Sequence, residues 1–468
     1  MTDVAPAGRF YLEQLGCPKN LVDGENMAEI LKSRGYVEVS SPDEADTIIV
    51  NTCGFIQRAA DESVAALRGH AATRRRGQRL IATGCLAQRW GDRLTAAVPG
   101  IDGMLGAMRW GEIDRLLEAV RAGVRPKWLG AGAVDPSPGR VARGPSTYLK
   151  IADGCDHTCA FCAIPLIKGK HRSKPIERII VEARQLAARG VREIVLVSQD
   201  SSGYGKDFAM RDGLAEMLDR LVAAVPQIPW VRVMYVYPGT VTDRLIETFA
   251  RHPQIVKYVD MPLQHADRDV LRRMRRPTVD ALDLIRRFRA AIPDLALRST
   301  FIVGFPGETE REFASLLEFF GSAQLDRVGV FTYSAEAGTL AATAASQVRE
   351  RVKERRYRRA METLQAISIE RNRLQIGRTL PVLIEGAVED GDGDYQAIGR
   401  TYRDAPEVDG LVFVRGTAAI GEIVPVRIDD AMAYDLVGTV AGADAGGRLA
   451  APLNGRLPLT VLPARASI

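Results

Sequence analysis

At 468 residues the chain has room for two to four domains, and 46% hydrophobic with 26% charged residues is the balance of an ordinary globular protein. Its 63 basic and 58 acidic residues leave a net charge of only +5, too little for bulk charge alone to assign nucleic-acid binding. No apolar run approaches the ~18 residues of a membrane span, and MTDVAPAGRF lacks the basic-then-apolar pattern of a secretory signal. The expectation is therefore a cytoplasmic enzyme whose six Cys are not disulfide staples.

In chain order, FYLEQLG reads as a strand. DGENMAEILKSRG reads as a helix capped by Asp23, with Met27, Ile30 and Leu31 on one apolar face and Gly35 closing it. TIIVNTC and RLIATGC are two more strands, each followed by helix. Alternation of this kind predicts a doubly wound parallel sheet over residues 8–122. Cys17, Cys53 and Cys85 each fall at the C-terminal end of one of these strands, with 35 and 31 residues between them. That edge of an open parallel sheet is where ligands bind, so the three thiols are expected to converge. The plain alternative is three ordinary buried Cys.

Residues 123–146 are rich in Gly, Ala and Pro and read as a linker. Beyond it, YLKIA, EIVLVSQ, VRVMYVYP, YVDMPLQ, LRSTFIVGF and RVGVFTYS are six strands separated by helices, which predicts a partial (βα)6 barrel over 147–374. Barrel chemistry sits at the C-terminal ends of the strands. Just past the first of them, GCDHTCAFC carries Cys155, Cys159 and Cys162 in a C-x3-C-x2-C run. Iron–sulfur clusters are usually held by four Cys thiolates, so a compact run of three leaves one iron open for chemistry. A structural zinc site would want a second ligand pair, which the sequence does not offer, and a plain electron-transfer cluster is the other alternative.

Other strand ends offer Ser198, Gln199 and Asp200 in VSQDSSGYG, Gln264 and His265 in MPLQHAD, and Gly304, Gly307 and Glu308 in GFPGET. From about Gln347 to Asn372 the chain is helical and strongly basic, and a solvated helix face accounts for that. Five short strands over 376–440 predict a small antiparallel β-barrel, OB-like in outline. Residues 441–468, rich in Ala, Gly and Pro, read as a flexible tail. Between Ile376 and Val440 there are five basic residues against twelve acidic ones, a local net charge of −7. An acidic module is expected to repel RNA and to attract a basic protein.

The C-x3-C-x2-C run opening a βα barrel, with Phe161 directly before the third Cys, resembles the radical S-adenosylmethionine (SAM) enzymes. With the three N-terminal Cys and the small C-terminal barrel, which is similar to a TRAM domain, residues ~10–440 resemble the radical SAM methylthiotransferases. LGCPKNLVDGE, NTCGFI and GRTYRDAPEVDG resemble their RimO branch, although Gly24 stands where that branch usually has Ser.

The resemblance implies two 4Fe–4S clusters. One, on Cys155, Cys159 and Cys162, would bind SAM and cleave it to a 5′-deoxyadenosyl radical. The other, on Cys17, Cys53 and Cys85, would carry or activate sulfur, and a second SAM would supply the methyl group. It further implies SAM contacts from Phe161, Ser198, Gln199, Gln264, Gly304, Gly307 and Glu308. The implied substrate is the β-carbon of an aspartate in the twelfth small-subunit ribosomal protein, a basic partner for an acidic TRAM face that includes Asp404, Glu407 and Asp409. The implied setting is an external electron donor, a monomer, no membrane, and RNA contact only on or near the ribosome. An adenosine in transfer RNA is the alternative substrate. A non-catalytic iron–sulfur carrier or RNA-binding protein is the alternative of another class.

Overall fold

The computed structural model describes residues 7–132, 139–140, 142, 144–388 and 395–442. The N-terminal domain is a parallel sheet of six strands, ordered Tyr36–Glu38, Gly8–Gln14, Thr47–Thr52, Arg79–Thr83, Gly103–Gly106, Lys127–Trp128. Strand side chains alternate between faces, and here both faces are covered. Ile49 and Ile81 point toward helices Pro18–Ser33 and Ile113–Arg121. Ile48, Val50 and Leu80 point toward helices Gln57–Thr73 and Gly84–Trp90.

Two expectations are corrected in this domain. The sixth strand, Lys127–Trp128, comes from the segment read as linker and pairs with Gly103–Gly106. The first helix begins at Pro18, not at Asp23, because proline at the first helical position needs no amide partner. Asp23 therefore lies inside the helix and caps nothing, and Cys17 occupies the cap position.

The central domain carries six parallel strands in chain order: Ser146–Lys150, Glu193–Val197, Trp230–Val233, Tyr258–Asp260, Ala296–Val303 and Arg327–Thr332. The first three form one ladder and the last three another. A Val231–Ile255 bridge and the Val236 amide donating to the Asp260 carbonyl at 2.8 Å join them. Among the described residues no ladder joins the last strand to the first, so the barrel is open, as the six-unit count predicts. Ile194 and Leu196 face the helices outside, while Val195 and Val197 face the lumen.

The basic stretch is the helix Glu350–Arg373, and only part of it is a solvated face. Lys353 and Arg356 are buried against the end of the barrel, where Lys353 Nζ donates to the Tyr333 carbonyl at 2.9 Å.

The C-terminal domain is a closed five-stranded barrel: Thr379–Ala387, Ala397–Thr401, Val412–Arg415, Leu436–Val440 and Ile423–Ala431 in spatial order. It is not antiparallel throughout, because Val412–Arg415 and Leu436–Val440 run parallel. Residues 443–468, expected to form a tail, and the acidic loop 389–394 lie outside the described residues.

Two acids of the face expected on this module, Asp404 and Asp409, lie in an internal seam. Asp404 is buried and pairs with Arg327 at 2.6 Å. Asp409 accepts from Tyr258 Oη at 2.6 Å and pairs with Arg298 at 3.2 Å. Glu193, at the start of the second barrel strand, is shared by Arg232 and Arg400, each at 2.7 Å. The segment GRTYRDAPEVDG thus plugs the lumen of the large barrel. Its Asp404 and Asp409 carboxylates answer cations that line that lumen and are not presented to a partner. Of the three acids named, Glu407 alone is exposed.

Candidate active site

Cys17, Cys53 and Cys85 follow adjacent strands and meet at one edge of the sheet, as their spacing predicts. Gly16, at φ +90°, makes the approach possible: a Cβ there would lie 2.6 Å from Cys53 Cβ and 2.8 Å from its Sγ. Behind the thiols is a polar brace. Asn51 donates to Gln14 Oε1 at 2.9 Å and to the Asn20 carbonyl at 2.7 Å, and the Cys53 amide donates to Ser63 Oγ at 3.0 Å. Gln14 also explains Gly24, since a Cβ on Gly24 would fall 1.9 Å from Gln14 Nε2. Burial, and then the neighbouring Cys17, push the Cys53 thiol up to about 12. Burial pushes Cys85 higher still, against the opposing charge of Lys168.

The second triad lies on the loop between Ala152–Asp153 and the helix Ile164–Lys168. Backbone bonds fix this loop: the Cys155 amide to the Gly169 carbonyl at 3.1 Å, Cys162 to Cys159 at 3.1 Å, and Ala160 to Met274 at 2.9 Å. Gly154, at φ +78°, is obligatory, because a Cβ would meet the Lys170 carbonyl oxygen at 2.0 Å. Burial drives Cys155 to about 11 and Cys162 to about 12. Arg276, in the LRRMRRP run, donates to Cys159 Sγ at 3.9 Å and lies 4.2 Å from the centroid of the Tyr237 ring. His157, inside the triplet, stacks on Tyr237 at 3.6 Å and bonds Asp200 at 2.7 Å.

The segments that carry the two triads meet. Cys85 packs with Ala107 of its own domain and with Ala163 and Ile167, which follow Cys162 by one and five residues. A buried ion network locks this seam. Asp23 accepts from Lys168 at 2.7 Å and from Lys150, and Asp153 accepts from both lysines at 3.2 Å. Burial opposes ionisation of Asp153, but Lys150 and Lys168 outweigh it and hold its carboxyl well below the usual range. A second clasp joins Arg89 to Glu336 at 2.7 Å, while the Gln57 amide donates to the same carboxylate at 2.9 Å.

The residues fit iron–sulfur clusters and a polar ligand. All six Cys are free thiols. Among the described residues, the three ligand atoms drawn within 4.8 Å of one another are those of Asp267, Asp269 and Glu312, and neither Cys triad. Three thiols in each triad, without the second ligand pair of a structural zinc site, suit a cluster with one iron left open. Gln199 donates to Asp153 at 3.1 Å, which turns its Oε1 away as a buried acceptor without a partner, available to an ammonium group on a ligand.

Of the other residues expected at this site, Phe161 joins an apolar wall with Ala160, Met274, Phe305 and Tyr333. Gln264, at φ 71° and four residues past the strand Tyr258–Asp260, donates its amide to the Thr300 carbonyl at 2.8 Å. Four of the expected residues are engaged with protein in the structure. Ser198 is buried with its hydroxyl on Ser201 at 3.1 Å. Glu308 is wholly buried, held by Arg356 at 2.9 Å, by His265 at 3.2 Å and by the Gly304 amide. Gly304 and Gly307 give close approach to protein. A Cβ on Gly304 would meet Lys353 Cγ at 2.4 Å, and the Gly307 amide bonds the Ser346 carbonyl at 2.7 Å. His157, Tyr237, Arg276, Asp153 and the two lysines were not picked out from the sequence. Only the placement of His157 within the triplet marked any of them.

Known proteins match this arrangement. The pattern of the Radical SAM superfamily matches residues 149–320, that of Uncharacterized protein family UPF0004 matches 9–106, and that of the TRAM domain matches 376–441. Similar relatives include the ribosomal protein uS12 methylthiotransferase RimO of Roseiflexus castenholzii, 47% identical over 93% of this chain and 96% of its own length. The RimO of Chloroflexus aurantiacus is 48% identical over 92% of this chain and 99% of its own. Among solved structures, the radical S-adenosylmethionine methyltransferase TsrM of Kitasatospora setae aligns at a TM-score of 0.54 and 14% identity, covering 70% of this chain and 72% of that one, and so shares the fold.

Proposed function

We infer the reaction from one premise: this chain belongs to the RimO family of methylthiotransferases, and it is a radical SAM enzyme. Its substrate is the β-carbon of an aspartate in ribosomal protein uS12, where one C–H becomes C–S–CH3. That carbon has no proton acidic enough for a general base and no leaving group for a nucleophile, so the hydrogen must leave as an atom. Cys155, Cys159 and Cys162 would hold a cluster that, with SAM bound, would supply the radical chemistry for removing that hydrogen. Cys17, Cys53 and Cys85 would hold a second cluster on the sulfur side, with a further SAM as the methyl source.

The observation that carries this reading is the packing of Cys85 on Ala163 and Ile167, which turns the two triads toward one space. The chain's own residues orient and enclose. Gln199 Oε1 accepts from the ligand, Phe161 walls it, and the Asp23–Lys168 and Arg89–Glu336 pairs hold the two halves in register. We place the enzyme in the cytoplasm as a monomer that draws electrons from an external donor and meets RNA only on or near the ribosome. In support, no helix among the described residues is long and apolar enough to cross a membrane.

The test is anaerobic reconstitution with iron, sulfide, SAM and a reductant, with uS12 and transfer RNA offered separately. A methylthio mass gain on uS12 is expected. A gain on RNA alone contradicts the reading.

A further inference from the structure

Lys19 is the second residue after Cys17, and its ammonium lies 3.5 Å from the centroid of the Tyr235 ring. The side chain is partly buried where the first helix enters the mouth of the barrel. Burial opposes its charge while Tyr235, Cys17 and Asp260 favour it, yet among the described residues no carboxylate forms an ion pair with it. Asp260 is engaged elsewhere: Arg298 pairs with it at 2.9 Å and the Tyr235 amide donates to it at 3.0 Å. The ring below Lys19 is held deliberately. Tyr235 adopts φ 63°, a strained conformation for an aromatic residue, fixed by that amide bond and by the Ser201 amide donating to its carbonyl at 2.9 Å. Of the other cations at this seam, Lys150 and Lys168 each have two carboxylates and Arg89 has Glu336.

We propose that Lys19 is the specificity-determining cation that grips the side-chain carboxylate of the target aspartate, with Tyr235 as its resting support. This rests on the reading above that the substrate is an aspartate. An aromatic face holds an ammonium less strongly than a carboxylate does, so an arriving carboxylate displaces the ring contact. In aspartate the carboxylate carbon is bonded directly to the carbon that gains sulfur. Gripping the carboxylate beside Cys17 therefore sets that carbon on the sulfur side to within one bond. An adenosine has no anionic group on its base for this cation, so the same residue selects protein over RNA.

The test compares two uS12 peptides, one with the target Asp and one with Asn in its place, for binding to the full chain with its clusters loaded, by fluorescence anisotropy without reductant. The wild type is expected to prefer the Asp peptide by at least about tenfold. Lys19→Met and Lys19→Gln are expected to bind both peptides equally, and to lower kcat/KM on the Asp peptide about 100-fold. Two variants are used so that a folding defect in one, judged by circular dichroism and iron content, leaves the other to decide. A folded variant that keeps the Asp preference overturns the proposal. If the wild type does not methylthiolate the Asp peptide at all, the uS12 reading itself fails, and the two failures are told apart.

Discussion

Lys168 of the barrel loop donates to Asp23 of the first N-terminal helix at 2.7 Å, and both side chains are almost wholly buried. Six residues earlier in the chain, Cys162 ends one thiol triad; six residues before Asp23, Cys17 begins the other. The ion pair is therefore a rivet between the two ligand sets, and its loss is expected to move one relative to the other.

Asp23→Asn removes one of the two carboxylates that neutralise Lys150 and Lys168. Breaking a buried pair by deleting one partner leaves an uncompensated charge and costs about 3–5 kcal/mol. Thermal unfolding followed by circular dichroism should show the loss. An unchanged midpoint would mean that Asp153 alone satisfies both lysines.

Acid should loosen the seam between the two barrels. Burial opposes ionisation of Glu193, but Arg232 and Arg400 hold its carboxyl down at about 2. A depressed acid contributes stability above its unfolded value, near 4.5, and loses it as pH falls toward the folded value. The window is thus pH ~5 to ~2, with about 3 kcal/mol at stake. Limited acid proteolysis should release the C-terminal barrel in that window. Arg400→Met should release it at neutral pH.

Gly24→Ala should push the Gln14 amide off Asn51 and cost the N-terminal domain about 1 kcal/mol, the worth of that hydrogen bond. Gln14→Ala in the same chain should relieve the collision. Denaturant midpoints of the single and double variants check this. Additive losses would place the strain elsewhere.

Cys17→Ala should lower reconstituted iron from about eight to about four atoms per chain, abolish methylthiolation and leave some SAM cleavage. Cys155→Ala should abolish both. Iron assay together with chromatography of 5′-deoxyadenosine separates them. Loss of both activities in Cys17→Ala would undermine the division of labour between the triads.

Much of this was legible in the sequence because the signals are local. Cys17, Cys53 and Cys85 sit at strand ends, and strand ends of a parallel sheet converge whatever the details. The six barrel strands are apolar runs bounded by helices. What escaped depends on contacts between distant segments. Asp23 looks like a helix cap until Pro18 starts the helix five residues earlier. Asp404 and Asp409 look like an acidic surface until the basic lining of the barrel lumen is seen, and no local pattern reveals that Arg298 and Arg327 point inward. Glu308 follows a glycine turn that suits a ligand, yet Arg356, 48 residues on, takes its carboxylate.

The most direct measurement of the central claim uses uS12 whose target aspartate carries deuterium on its β-carbon. After a single reaction with the loaded enzyme, mass spectrometry reads both products. The account predicts a methylthio group on that aspartate and deuterium in the 5′-deoxyadenosine formed with it. A modified aspartate accompanied by deuterium-free 5′-deoxyadenosine would contradict it.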